Sequence, residues 1–387
     1  MGQRVGMEVS IAAAEAVGLC DVDVIAAYPI TPQTHVVEHL SELVAEGKLD
    51  AEFVPVESEH SAMSVCCGAA AAGARTFTAT AAQGLALMAE IVFIASSMRL
   101  PIVMFLANRA LSAPLSIWND HSDTMMVRDC GWIQVFCENG QEVYDSIFHA
   151  YRVAEDPSVS LPVMINVDGF SLTHVIEPME FWSSEMVKQY LPPFKPIHTL
   201  HPNKVVTFGA FGMPEVFAEQ RMAHDQAMKG SFGVIMKAWE ELAVLTGRRY
   251  SPVEEYMTKD ADTLIVAMGS LCETASLAVD ILRKQGNKVG LIKIRLWRPF
   301  PTEQLKRALS RVKEVLVIDR CVAPGAANMP VTSELRALMY HEPVRPNIRC
   351  VVAGLGGRDV TAEDVAAMLD LAREDQTTDY QLYGVRS

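Results

Sequence analysis

The run Ala26-Ala27-Tyr28-Pro29-Ile30-Thr31-Pro32-Gln33-Thr34 reads as a strand, Asp23 to Ala27, followed by a helix that opens at Pro32 and stops at Gly47. A hydroxyl at that junction stands where unpaired N–H groups and the helix dipole favour an anion. Thr31 either caps the helix or donates to a ligand carboxylate, and capping is the commoner use of Thr there. A second run, Glu57-Ser58-Glu59-His60, sets two carboxylates at the start of a helix capped by Ser58, with a nearly all-small interior from Ala62 to Gly73. A carboxylate held in an apolar cleft serves in proton transfer, whereas one in an open first turn only offsets the dipole. Local pattern favours the second use.

Asn108-Arg109-Ala110-Leu111-Ser112-Ala113-Pro114 follows the strand Ile102 to Leu106. An Arg at a strand's carboxyl end can grip a carboxylate with two parallel hydrogen bonds, although a lone loop Arg is more often a solvated charge. Trp118-Asn119-Asp120-His121-Ser122-Asp123 invites a metal reading. No second ligand set stands near it in sequence, so loop-building Asn and Asp beside a solvent-facing His is the plainer expectation. Gly354-Leu355-Gly356-Gly357-Arg358-Asp359 begins like a dinucleotide fingerprint but ends in Asp where Gly or Ala is required.

These runs sit in a chain that alternates apolar helical stretches with short strand-like ones from Gly6 to Val167, the pattern of βα units around a mostly parallel, doubly wound sheet. Glu52 to Val56, Arg75 to Ala79, Gly131 to Cys137 and Pro162 to Val167 are further strands. Gly84 to Met98 and Glu142 to Glu155 are further helices. The Ala-rich stretch before Cys20, broken by Glu8 and Glu15, reads as an amphipathic helix rather than a secretory leader. Between about 168 and 202 proline density rises, and regular structure should yield to a chain wrapping over a surface. Residues 213 to 246 look helical, and a second, smaller α/β set begins at Thr263. The expected division is 1–250 and 261–387.

The 387 residues are 50% apolar and 21% charged, which is globular usage. With 33 Lys and Arg against 47 Asp and Glu the net charge is −14, the wrong sign for gripping phosphate backbones or anionic lipid. Nucleic acid and membranes are not expected partners. The eight cysteines form no C-x-x-C, so reduced, buried thiols are expected rather than an iron–sulfur or structural zinc site. The longest apolar tract, Gly84 to Ala107, holds Glu90, Arg99 and Pro101, which argues against a membrane span. A soluble, cytoplasmic protein is expected.

Together Tyr28-Pro29-Ile30-Thr31-Pro32, Glu57-Ser58-Glu59, Gln83-Gly84-Leu85-Ala86-Leu87-Met88 and Asn108-Arg109-Ala110-Leu111-Ser112-Ala113-Pro114 resemble the alpha subunit of 2-oxoacid:ferredoxin oxidoreductases, especially the pyruvate type. The resemblance extends through Gly131-Trp132-Ile133-Gln134 and, more loosely, the C-terminal domain. It implies a thiamine diphosphate pyrimidine-binding domain plus a transketolase C-terminal-like domain. On the matching positions it implies that Glu59 hydrogen-bonds the cofactor's aminopyrimidine ring as the catalytic carboxylate, that Thr31 and Arg109 contact the substrate carboxylate, and that Pro29 and Gln83 also bind cofactor. The implied reaction is oxidative decarboxylation of a 2-oxoacid with coenzyme A, giving acyl-CoA, CO2 and electrons that leave through iron–sulfur clusters. A Gly-Asp-Gly motif for Mg2+ and diphosphate is absent, as are cluster-binding cysteine runs. The family's division of labour puts these on partners: a beta subunit with Mg2+ and the diphosphate, a gamma subunit, and a ferredoxin-like delta or other cluster-bearing subunit. Relatives act on phenylglyoxylate, oxalate, branched 2-oxoacids and 2-oxoglutarate, while the Asn108 to Pro114 run favours pyruvate. A lipoamide-linked thiamine enzyme subunit and a non-catalytic scaffold are the other readings.

Overall fold

The computed structural model describes residues 4–374 and 379–386. In chain order the first part runs β1 (Arg4–Glu8), α1 (Val9–Leu19), β2 (Val24–Ala27), α2 (Thr34–Ala45), β3 (Glu52–Pro55), α3 (Glu59–Ala72), β4 (Thr76–Thr80), α4 (Ala82–Ser97), β5 (Ile102–Asn108), α5 (Ser122–Met126), β6 (Ile133–Phe136), α6 (Gly140–Ala154) and β7 (Val163–Asp168). A connecting stretch, β8 (Ile176–Glu180), α7 (Ser184–Tyr190) and α8 (Pro214–Thr246), leads to the second part. That part is β9 (Val253–Tyr256), β10 (Thr263–Ala267), α9 (Leu271–Lys284), β11 (Val289–Ile294), β12 (Leu296–Arg298), α10 (Thr302–Leu309), β13 (Glu314–Asp319), α11 (Pro330–Met339), β14 (Asn347–Val352), α12 (Ala362–Glu374) and β15 (Gln381–Leu382).

The first sheet has the order β12-β6-β7-β5-β4-β2-β3. All pairs are parallel except β12 on β6. Its central strands are mostly apolar or Thr and are buried on both faces, as a covered parallel sheet requires. One apolar core, including Val9, Leu40, Phe77, Phe105, Tyr144 and Tyr151, joins the sheet to α1, α2 and α6. A second core, including Met63, Cys66, Leu85, Met88, Met104 and Trp132, joins its other face to α3 and α4. The small residues of α3 let it lie against α4, and the helix is fixed at both ends: Ser58 Oγ accepts from Ser61 N–H, and Gly73 closes it at φ +102°. The second sheet, β15-β14-β13-β10-β11-β9, is likewise covered on both faces.

Several sequence expectations change. The N-terminal helix is buried almost all round rather than amphipathic, because β1 precedes it and pairs with β8, and the Ala-rich helix packs against α6. The region 168–202 is only partly irregular, since it holds β8 and α7. The helix after β2 starts at Thr34, with Gln33 and not Thr31 at the cap position; Tyr28 to Gln33 form a turn in which Gln33 Nε2 donates to Tyr28 O at 2.8 Å. All eight cysteines are buried and unpaired. No helix among the described residues is long and apolar enough to cross a membrane.

Candidate active site

In the order β5-β4-β2-β3 four neighbouring strands end at one edge, and each of the four runs singled out in the sequence leaves from one of those ends. This is the edge at which open α/β sheets bind ligands. Thr31 follows β2, Glu59 follows β3, Gln83 follows β4 and Arg109 follows β5.

Glu59 opens α3 and is 6% exposed, yet no side chain among the described residues pairs with its carboxylate. Room for that carboxylate comes from Gly84. A methyl group there would lie 2.7 Å from Glu59 Oε1 and 2.3 Å from Thr80 Oγ1, so the first turn of α4 approaches Glu59 as only glycine permits. Among the described residues Thr80 Oγ1, close to the same point, and Gln83 Oε1, one residue before Gly84, are buried without partners. Burying polar atoms unpaired costs about 1–3 kcal/mol each, so this cluster is poised for a ligand carrying its own donors and acceptors. Glu57 differs: it is exposed, and its Oε1 accepts from the Ser61 hydroxyl, which lowers its carboxyl below the ordinary value.

Arg109 is buried rather than solvated. Its Nη1 donates to Thr31 O at 2.8 Å and its Nε to Ser116 O at 3.0 Å. Among the described residues Nη2 has no partner and Nη1 has one, which leaves hydrogens for an incoming acceptor. Burial lowers the guanidinium's pKa, with Asp123 opposing, and an Arg stays cationic under such pulls. Thr31 is exposed and Pro29 lies beside it on the surface. The fold therefore joins Thr31 to Arg109, two residues 78 positions apart.

The Asp120, His121 and Asp123 side chains, offered by spacing as a ligand set, are drawn into separate networks. Asp120 bonds Ser122, His121 Nε2 pairs with Asp168 Oδ1 at 2.9 Å, and Asp123 binds main-chain N–H groups. His121 is buried, not solvent-facing, because α5 tucks it between the two sheets against Phe136.

Residues 15–238 match the family described as pyruvate flavodoxin/ferredoxin oxidoreductase, thiamine diphosphate-binding, and residues 261–365 match pyruvate:ferredoxin oxidoreductase core domain II. The chain belongs to the pyruvate:ferredoxin oxidoreductase family. It is 49% identical over 373 residues to pyruvate synthase subunit PorA of Methanocaldococcus jannaschii, covering 95% of both chains. It is 44% identical over 355 residues to ketoisovalerate oxidoreductase subunit VorA of Pyrococcus horikoshii, covering 90% of this chain and 88% of that one. Its fold is shared with the 2-oxoglutarate:ferredoxin oxidoreductase of Magnetococcus marinus at a TM-score of 0.73 and 19% identity, over 96% of this chain and 65% of that longer one. The protein is thus an alpha-type subunit of a 2-oxoacid:ferredoxin oxidoreductase, a multi-subunit thiamine enzyme.

For an oxidoreductase of this family the cluster at Glu59 fits a thiamine pyrimidine ring. An unpaired carboxylate, an unpaired hydroxyl and an unpaired amide oxygen stand around a glycine whose missing side chain keeps the space open. Two buried carboxylates lie near this edge: Asp123, which sequence reasoning offered only as part of a metal set, and Asp168, which it missed. Asp168 ends β7, and a polar residue at the carboxyl end of a buried strand was the available signal.

Proposed function

We propose that this subunit serves a pyruvate-oxidising complex in which Glu59, Thr31 and Arg109 are its share of the catalytic site. One observation carries the reading: Arg109 is fastened to the Thr31 main chain on the same sheet edge as the unpaired Glu59. The higher identity to relatives named pyruvate synthase, 49% and 46% against 44% for the ketoisovalerate subunit, favours pyruvate over the branched acid.

Thiamine diphosphate, when bound, would supply the carbon nucleophile and the electron sink that decarboxylation of a 2-oxoacid needs. Glu59 is the carboxylate that would hold the pyrimidine ring and share a proton with it at Oε1. Pro29 and Gln83 would flank the ring. Arg109 binds the substrate carboxylate through its free Nη hydrogens, and the Thr31 hydroxyl adds a neutral donor. The acyl group goes to coenzyme A and two electrons leave through partner-bound clusters.

The chain carries half of such a site. It lacks a Gly-Asp-Gly motif, and apolar side chains stay exposed beside the edge, among them Tyr28, Leu87, Leu115 and Trp118. Two sizeable cavities, one under the 194–198 strap and one between the sheets, contain none of Thr31, Glu59 and Arg109. We assign the missing half, with Mg2+, to a beta subunit, and the clusters to gamma and delta-type partners. We propose a cytoplasmic location for the complex and 1–250 and 261–387 as the two domains of this subunit.

Arg109→Lys in the assembled complex tests this. With a 2-oxoacid panel, coenzyme A and a viologen acceptor, kcat/KM for pyruvate should fall roughly 10- to 100-fold, ~1.4 to 2.8 kcal/mol, with cofactor occupancy unchanged. Unchanged constants would move the carboxylate contact elsewhere.

A further inference from the structure

Between the strand ends lies a carboxylate that spacing offered only as part of a ligand set. Asp123, in the short helix α5, is fully buried. Its Oδ2 accepts from Arg109 N–H at 2.9 Å, at the end of β5, and from Ala82 N–H at 3.2 Å, at the start of α4. Its Oδ1 accepts from Asn108 Nδ2 at 2.9 Å and from Thr124 N–H at 2.7 Å. Asn108 Nδ2 also donates to Thr124 Oγ1 at 2.7 Å, which ties the group to the sheet interior. One oxygen thus fastens together the backbone that carries Arg109 and the backbone that carries Gln83 and Gly84. Ala82 sits at φ +35°, a conformation that L residues rarely adopt, and the bond to Asp123 is one of the contacts holding it.

We propose that Asp123 is a positioning residue of the catalytic site: its ionised carboxylate locks the Arg109 and Ala82 main chains to each other, so that the Arg109 guanidinium is set to receive the substrate carboxylate. Asp123 touches neither substrate nor cofactor. The proposal rests on the role given to Arg109 above.

The lock has a chemical weakness. All four donors are neutral N–H groups, and burial pushes the Asp123 carboxyl up to about 7 against the pull of Asn108 and the Arg109 N–H. The charged and titratable groups around it are the Arg109 guanidinium after β5, Asp120 in its own loop, and the Cys321 thiol after β13. Protonation turns one acceptor oxygen into a donor, which cannot face an N–H. If the proton sits on Oδ2, the Arg109 and Ala82 contacts are lost together. Substrate binding should therefore weaken as pH falls through about 7.

The test uses the assembled complex with wild type, Asp123→Asn and Arg109→Lys between pH 6 and 8.5. Pyruvate KM and kcat are measured together with calorimetric binding of oxamate, a pyruvate isostere that does not decarboxylate, and with thiamine content. In wild type the oxamate Kd and the KM should rise on acidification below about 7. Asp123→Asn should raise both about 10-fold at pH 8, remove that part of the pH profile, and leave kcat and thiamine content near wild type. An Asp123→Asn profile parallel to wild type, or equal loss of kcat and thiamine, would overturn the positioning role. If Asp123→Asn does not assemble, a flat wild-type oxamate profile overturns it. An Arg109→Lys variant with normal oxamate binding would instead remove the substrate reading beneath it.

Discussion

Two fully buried carboxylates stand close to the same sheet edge and meet opposite fates. Asp123 is held by neutral N–H donors from β5, α4 and its own helix. Asp168, at the end of β7, pairs with His121 Nε2 at 2.9 Å and Arg320 Nη1 at 2.7 Å, and accepts from Ser270 N–H at 2.8 Å and Ser270 Oγ at 2.5 Å. Burial pushes both carboxyls upward. At Asp123 nothing overcomes it, whereas at Asp168 Arg320, His121 and Ser270 do, and the carboxyl lies well below the usual range. Charged partners make a carboxylate a fixed structural ion; neutral donors leave it able to change state. The fixed ion joins the two sheets, since Ser270 and Arg320 belong to the second part of the chain. The adjustable one lies under the candidate active site.

Replacing each by Asn should separate them. Asp168→Asn leaves Arg320 buried without its counter-ion, and breaking such a pair costs about 3–5 kcal/mol. Asp123→Asn removes hydrogen bonds to neutral donors and should cost less, about 1–3 kcal/mol. Thermal melts of the two variants against wild type measure the order, and a larger loss for Asp123→Asn would break the comparison.

The pH dependences should differ in sign and window. Asp123 has a folded pKa above the ordinary carboxyl value, so the native state takes up a proton there. Its contribution to stability is present in acid and is lost as pH rises through about 7. Asp168 has a depressed folded pKa, so its contribution is present above about 4 and is lost only as pH falls toward the folded value. The stability gap between wild type and Asp123→Asn should therefore shift between pH 5.5 and 8.5, while the gap to Asp168→Asn stays level. Melts at both pH values decide it.

The smallest effects concern glycines. Gly84→Ala should weaken thiamine binding by about 1–3 kcal/mol, because the added methyl would press on Glu59 and Thr80. Gly230, inside α8 with nothing within 4 Å of a built methyl group, should instead gain about 0.5–1 kcal/mol on change to Ala. Cofactor titration and melting of both variants would show whether the space at Gly84 is reserved for a ligand.

Much of this was legible in the sequence where the signal is local. Ser58 as a cap and the apolar runs of β4, β5 and β7 are read from a few neighbouring residues. Thr31 misled because Thr before Pro looks like a cap, while the turn from Tyr28 delays the helix to Thr34. His121 misled because its partner Asp168 is 47 residues away and packs in from another strand. The three-residue strand β12 leaves the second sheet's sequence to pair with β6, and no pattern inside Leu296–Arg298 announces that. The resemblance supplied Glu59, Thr31 and Arg109, but the groups that hold them in place became visible only when strands met.

The central claim is that Glu59 is this chain's catalytic carboxylate. In the assembled complex, deuterium exchange at the thiazolium carbon of bound thiamine diphosphate, followed by NMR, reads its action without substrate. Glu59→Gln should slow that exchange by ~10² to 10⁴ while thiamine content stays near wild type. Exchange at the wild-type rate in a fully loaded Glu59→Gln complex would contradict the account.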